Sequence, residues 1–276
     1  MAGRPPRPAL LVMLAPLVVT AGLLLGAPLL GLLATARWLP EEDLLRPLAQ
    51  MLSASLVLAI LGLGIATAPA LVLAGWIFRA HDSRPGRLAH RLLAATAALP
   101  SIVIALAALA AFAPVQAVAG AGPYSLLLAA LGLGLFATPI LALALLAAAR
   151  SGRARAEPAA AALGLSAEGK AFPLYLRCAR GWTLAAGLWT LLRLVGETMV
   201  VMMLSGNRLA WPVHPWEAVR AASADIALRA GETPPRLWAP LHGEALGLIV
   251  LAALLSWLAR RLRRPLIRLR EGEGSG

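Results

Sequence analysis

The chain has 276 residues, of which 60% are hydrophobic and 14% charged, and its mean hydropathy is +0.78. These values exclude an ordinary soluble domain, where charged residues make up about 25%, and identify an integral membrane protein. The formal net charge of +12 does not point to nucleic acid, because the arginines collect in short links between apolar runs and so mark one side of a membrane.

Those long runs predict helices; a membrane β-barrel would show weaker alternating segments of about ten residues. Arg4 and Arg7 precede the first run, Ala9 to Leu33. Ala34-Thr35-Ala36 resembles a signal-cleavage site, but the run is far longer than the 7 to 15 or so residues of a signal peptide, so it reads as a first transmembrane helix. Residues 1–47 then comprise this helix and an external link with Glu41, Glu42 and Asp43. A second span is expected from Leu48 to Phe78, followed by a cytoplasmic link with Arg79, Arg84, Arg87 and Arg91. A third runs from Leu92 to Val115 with Pro100 near its start, and Gly120 to Pro123 turns the chain into a fourth, Tyr124 to Ala149, which Pro139 should kink.

Arg150 to Arg180 is a basic link of about thirty residues, longer than connectivity requires. A fifth span is expected from Trp182 to Leu204. The external segment Gly206 to Pro240 carries Trp211, Trp216 and Trp238 and a short helix between Trp216 and Arg229. A sixth span covers Leu241 to Leu258, and a basic tail occupies residues 263–276. This topology puts eighteen lysines and arginines on one side and six on the other, with Arg193 inside the fifth span. The asymmetry predicts an all-α, multi-pass protein of the cytoplasmic (inner) membrane with six transmembrane helices and both termini in the cytoplasm.

Little in the chain suggests catalysis. Cys178 is the single cysteine, and His81, His90, His214 and His242 lack ligand spacing, so no metal site is expected. Gly164 to Lys170 nearly spells a phosphate-binding loop, but Ala171 stands where a magnesium-binding hydroxyl is needed, and an alanine-rich stretch precedes it instead of a strand. Any ATP must be hydrolysed elsewhere, and no catalytic set is found.

The fifth span holds the informative chemistry. Arg193 and Glu197 lie four residues apart on one helix face within an apolar segment. Each charge there costs about 2.5 to 3.5 kcal/mol on insertion scales. Two readings account for the cost: a structural ion pair between packed helices, or a translocation pathway for an anion.

Two stretches resemble a known family. Pro158 to Gly164, with Leu176 a dozen residues later, resembles the coupling region of ABC importer permeases, where a Glu-Ala-Ala stretch and a later Leu-Pro pair dock on an ATPase. Arg193-x-x-Gly196-Glu197-Thr198-Met199 followed by Gly206-Asn207 resembles the signature of the C-type permease of phosphate-uptake ABC transporters. Leu99 to Val103, Ala224 to Ala227, and His242 with Ala245-Leu246 add support, and the resemblance spans roughly 50–262. Pro158 stands where the family has its glutamate, with Glu157 one residue away, and Arg177 replaces the later proline.

The resemblance implies a type I ABC importer permease domain at 48–262, with a coupling loop at about 150–180. Arg193, Glu197 and Thr198 would line the substrate pathway, and Glu157, Ala160, Gly164 and Leu176 would contact the ATPase. It implies a second permease subunit in a heterodimer, two ATP-binding subunits carrying ATP and magnesium, and an external phosphate-binding protein. The chain itself would bind no cofactor, and its surroundings would be membrane lipid. Phosphonate, sulfate or molybdate are alternative substrates. Pro158 and Arg177 leave room for a non-transporting membrane subunit.

Overall fold

The computed structural model describes residues 42–118, 122–165, 171–231 and 239–263. The first expected span, Trp238, Lys170 and most of the basic tail lie outside these residues. The described chain is all-helical: α1 (Glu42–Arg79), α2 (Arg84–Ala97), α3 (Ser101–Val118), α4 (Leu126–Ala162), α5 (Phe172–Cys178), α6 (Arg180–Val195), α7 (Met199–Leu204), α8 (Ala222–Arg229) and α9 (Ala239–Arg263). Among the described residues α1, α4 and α9 are each long and apolar enough to cross a bilayer, and α2 with the start of α3 makes a fourth crossing if the bent pair is one span.

The third expected span is broken. α2 and α3 meet at 99° because Pro100 lacks an N–H and pushes Leu99 out of helical backbone. α2 carries Arg84, Arg87 and Arg91 and is capped by Ser83, whose hydroxyl accepts from the Gly86 N–H at 3.1 Å. The fourth helix, by contrast, runs on past Ala149. Ala-rich sequence and the Arg153–Glu157 pair at i, i+4 sustain it through Pro158 to Ala162.

Gly164 then ends the helix. It has φ +68°, its N–H bonds the Ala161 carbonyl at 3.0 Å, and the Leu165 N–H reaches back to the Ala160 carbonyl at 2.9 Å. This is a Schellman stop, and its left-handed residue favours glycine. α5 returns along α4, approaching so closely that a Cβ on Gly152 would lie 2.0 Å from the Tyr175 carbonyl oxygen.

The core lies mainly between α1 and α4. Ala54, Leu58, Ala66, Ala70 and Ala74 form a fully buried, mostly small-residue stripe on α1, which lets the helices pack at short range where apolar lipid supplies no hydrophobic drive. α6 packs on α4, α1 and α9.

Candidate functional site

The fifth expected span is also interrupted, at its charged pair. α6 ends at Val195, Gly196 to Thr198 leave helical pairing, and α7 begins at Met199. Glycine weakens the helix here. Arg193 falls in the last turn of α6, where its positive charge complements the helix C-terminus. Its Nη1 donates to Glu197 Oε2 at 2.8 Å, and its guanidinium stands 4.9 Å from the centre of the Phe136 ring on α4.

The two partners differ in burial. Glu197 is 3% exposed, whereas the Arg193 side chain is 50% exposed. The carboxylate is therefore an anchor inside the fold, and the guanidinium it holds is half exposed. Thr198 opens α7 and its carbonyl accepts from the Met202 N–H at 2.8 Å; it is not a side-chain cap.

The break is tied to the segment between α7 and α9. The Glu197 carbonyl, freed from helical pairing, accepts from the Ser223 hydroxyl at 3.1 Å. Asn207 Nδ2 donates to the Met202 carbonyl at 2.7 Å, and Arg220 Nε donates to the Asn207 carbonyl at 2.7 Å. Gly206 and Asn207 have φ of +77° and +51°, so two consecutive left-handed residues reverse the chain after α7. The segment folds inward: α8 packs against α9, α1 and α7.

Within it sits a second charged cluster. Asp225 accepts from Arg220 Nη1 at 3.1 Å and from Arg229 Nη1 at 2.8 Å, and Arg229 Nη1 lies 3.7 Å from Glu244 Oε1 on α9. Both carboxylate side chains are 1% exposed, and both Glu244 oxygens are without a hydrogen bond among the described residues. Asp225 belongs to a stretch already noted in the sequence, but Glu244 was missed as a charged site. The signal was present, since an acidic residue near the start of an apolar span demands a partner.

The predicted coupling residues gather on the α4–α5 hairpin. Glu157 Oε2 accepts from Arg153 Nε at 3.0 Å and from the Tyr175 hydroxyl at 2.6 Å. Burial pushes the Tyr175 phenol above its ordinary pKa, and the Glu157 carboxylate adds to the rise. Ala160 and Leu176 are buried, and Gly164 is the helix stop. Tyr175, which joins the two halves, was not singled out from the sequence.

No family model matches the chain, and no curated protein matches it. Among solved structures it is similar to a chain of the MetNI methionine ABC transporter, determined in inward-facing conformations. Identity is 16%, the alignment covers 82% of this chain and 99% of that one, and the TM-score is 0.64. At this identity the likeness establishes a shared fold.

Proposed function

We propose that the chain is a membrane-spanning permease subunit of an ATP-driven ABC importer for inorganic phosphate. One observation carries the reading: a half-exposed guanidinium at a helix break, held by a buried carboxylate, in a chain with the fold of a transporter chain. Phosphate at neutral pH carries one or two negative charges, and a guanidinium's planar fork donates paired hydrogen bonds to its oxygens. Glu197 holds Arg193 in place when the pathway is empty and competes with the anion, so that binding stays reversible. Thr198 adds a hydroxyl beside them.

The subunit transports without hydrolysing ATP. Two ATP-binding subunits engage the α4–α5 hairpin, a second permease completes the pathway in a heterodimer, and an external binding protein delivers phosphate. The arginine-rich end faces the cytoplasm of the inner membrane. The closed Glu157–Tyr175 hairpin supports retained coupling despite Pro158 and Arg177, because Pro158 lies within unbroken α4.

The test is phosphate uptake in vesicles holding the reconstituted complex. Arg193→Ala should abolish uptake, as should Arg193→Gln combined with Glu197→Gln, which removes both charges and leaves no buried carboxylate unpaired. Assembly with the ATPase should persist in the double variant. Uptake by that variant at the wild-type rate would sink the assignment. A second reading follows from the methionine transporter neighbour: the same guanidinium would take an amino acid's carboxylate. Competition of labelled phosphate uptake by methionine, phosphonate, sulfate and molybdate separates these substrates.

A further inference from the structure

A cavity of about 350 Å³ opens between the end of α1 and the arginine-rich part of α4, lined by Phe78, His81, Leu146, Arg150, Arg153 and Glu157 with Ala154. Its lining has two characters. Leu146, Arg150, Arg153, Ala154 and Glu157 recur at helical spacing, so they form one stripe of α4 that passes from apolar to basic within about two turns. Phe78 and Leu146 give the apolar floor, and the arginines and His81 give the rim.

The charges do not balance. Arg153 is paired with Glu157, but among the described residues Arg150 has no ion-pair partner. His81 is oriented by the Phe78 carbonyl at 3.0 Å and by Asp82 Oδ2 at 3.1 Å. Counting Arg150, Arg153 and Glu157, the cavity keeps one uncompensated positive charge.

We propose that this cavity is a binding site for one anionic phospholipid, whose phosphodiester headgroup sits between Arg150 and Arg153 and whose glycerol and upper acyl chain cover Phe78 and Leu146. The phosphodiester carries a single negative charge, which matches the excess. Guanidinium pairs are suited to phosphate oxygens, and basic pockets between transmembrane helices on the cytoplasmic side recognise such headgroups. A free phosphate ion would leave the apolar floor uncovered, so the lipid is the better fit. The site is separate from Arg193 and does not depend on the transport reading.

The experiment uses the full chain purified in mild detergent with whatever subunits remain bound. Phosphatidylglycerol and phosphatidylcholine are titrated separately, and bound lipid is counted by native mass spectrometry. Phosphatidylglycerol should bind more tightly. Arg150→Gln and Arg153→Gln should each weaken it about fivefold, and together roughly twentyfold, leaving phosphatidylcholine unchanged. Ala154→Trp, at an exposed position of the cavity lining, fills the space without altering charge and should also weaken phosphatidylglycerol, which carries the test if the double variant fails to fold. Equal binding of the two lipids, or undiminished phosphatidylglycerol binding in the variants, overturns the proposal. Displacement of phosphatidylglycerol by millimolar inorganic phosphate would assign the site to the free ion and equally overturn it.

Discussion

The Arg193–Glu197 pair and the Asp225 cluster both place charge within apolar packing, yet they handle it in opposite ways. In the cluster, Arg220 and Arg229 converge on Asp225 from two directions, and both carboxylates are sealed from solvent. At the helix break one carboxylate is sealed and its guanidinium is half open. A carboxylate buried between two arginines from different parts of the chain fixes helices relative to one another. An ion pair with one open end has donors left for something else, so openness rather than the presence of charge distinguishes the residue proposed for transport from the structural one.

Substitutions test that contrast through stability and uptake together. The largest loss of stability is expected for Arg229→Met, which preserves length but leaves Asp225 and Glu244 facing each other with one fewer cation. About 3 to 5 kcal/mol is expected for breaking such a buried network, read as a collapse in melting temperature and in the yield of folded chain. If Arg229→Met melts like wild type, the cluster is not the fastening described.

Arg193→Gln should cost less, about 1 to 2 kcal/mol, because only Glu197 is left buried and the lost guanidinium was half exposed. Its effect on uptake should nevertheless be complete. Severe unfolding with residual uptake per folded molecule would reverse the roles assigned to the two sites.

The exposed Arg153–Glu157 pair is an internal control. Tyr175→Phe removes the 2.6 Å hydrogen bond to Glu157 and should cost about 1 kcal/mol, with weaker coupling of ATPase activity to transport. Because folding raises the phenol's pKa above its ordinary 10.0, its contribution is fully present below pH 10 and is lost as pH rises through the folded value. The stability gap between wild type and Tyr175→Phe should therefore be flat through neutral pH, close in strong alkali, and narrow in acid as Glu157, whose pKa the same hydrogen bond lowers, takes up a proton. Comparable in size, Phe136→Leu removes the ring beside Arg193 and part of a buried core side chain, and should cost about 1 kcal/mol, with a measurable rise in the KM for uptake. An unchanged KM would mean the ring does not position the guanidinium.

Much of this was legible in the sequence for identifiable reasons. Apolar length located α1, α4 and α9, and the i, i+4 spacing of Arg193 and Glu197 correctly anticipated their contact. Hydropathy, however, reads apolar content and not backbone continuity. It therefore ran a single span through Pro100, where the helix axis turns by 99°, and another through Gly196. It also ended the fourth span at Arg150, because charge ends a membrane segment but does not end a helix. Gly206-Asn207 was noticed as a motif, but its two left-handed residues became clear only in the fold. Glu244 was passed over because its partner Arg229 lies fifteen positions away and on another helix, and no local spacing announces such a pair. The six-span count and the cytoplasmic placement of the N-terminus concern, in part, residues outside those described.

The unbroken length of α4 has a mechanical consequence. Its 37 residues make a rod of about 55 Å, roughly 25 Å longer than the hydrocarbon layer is thick. Phe136, beneath the guanidinium, and Glu157, latched to α5, are mounted on that same rod. The two lie about 31 Å apart along one continuous helix, so a displacement at the end carrying Glu157 has a single helical path to the ring beside Arg193, and Pro139 is the one position on that path that removes a helical hydrogen bond.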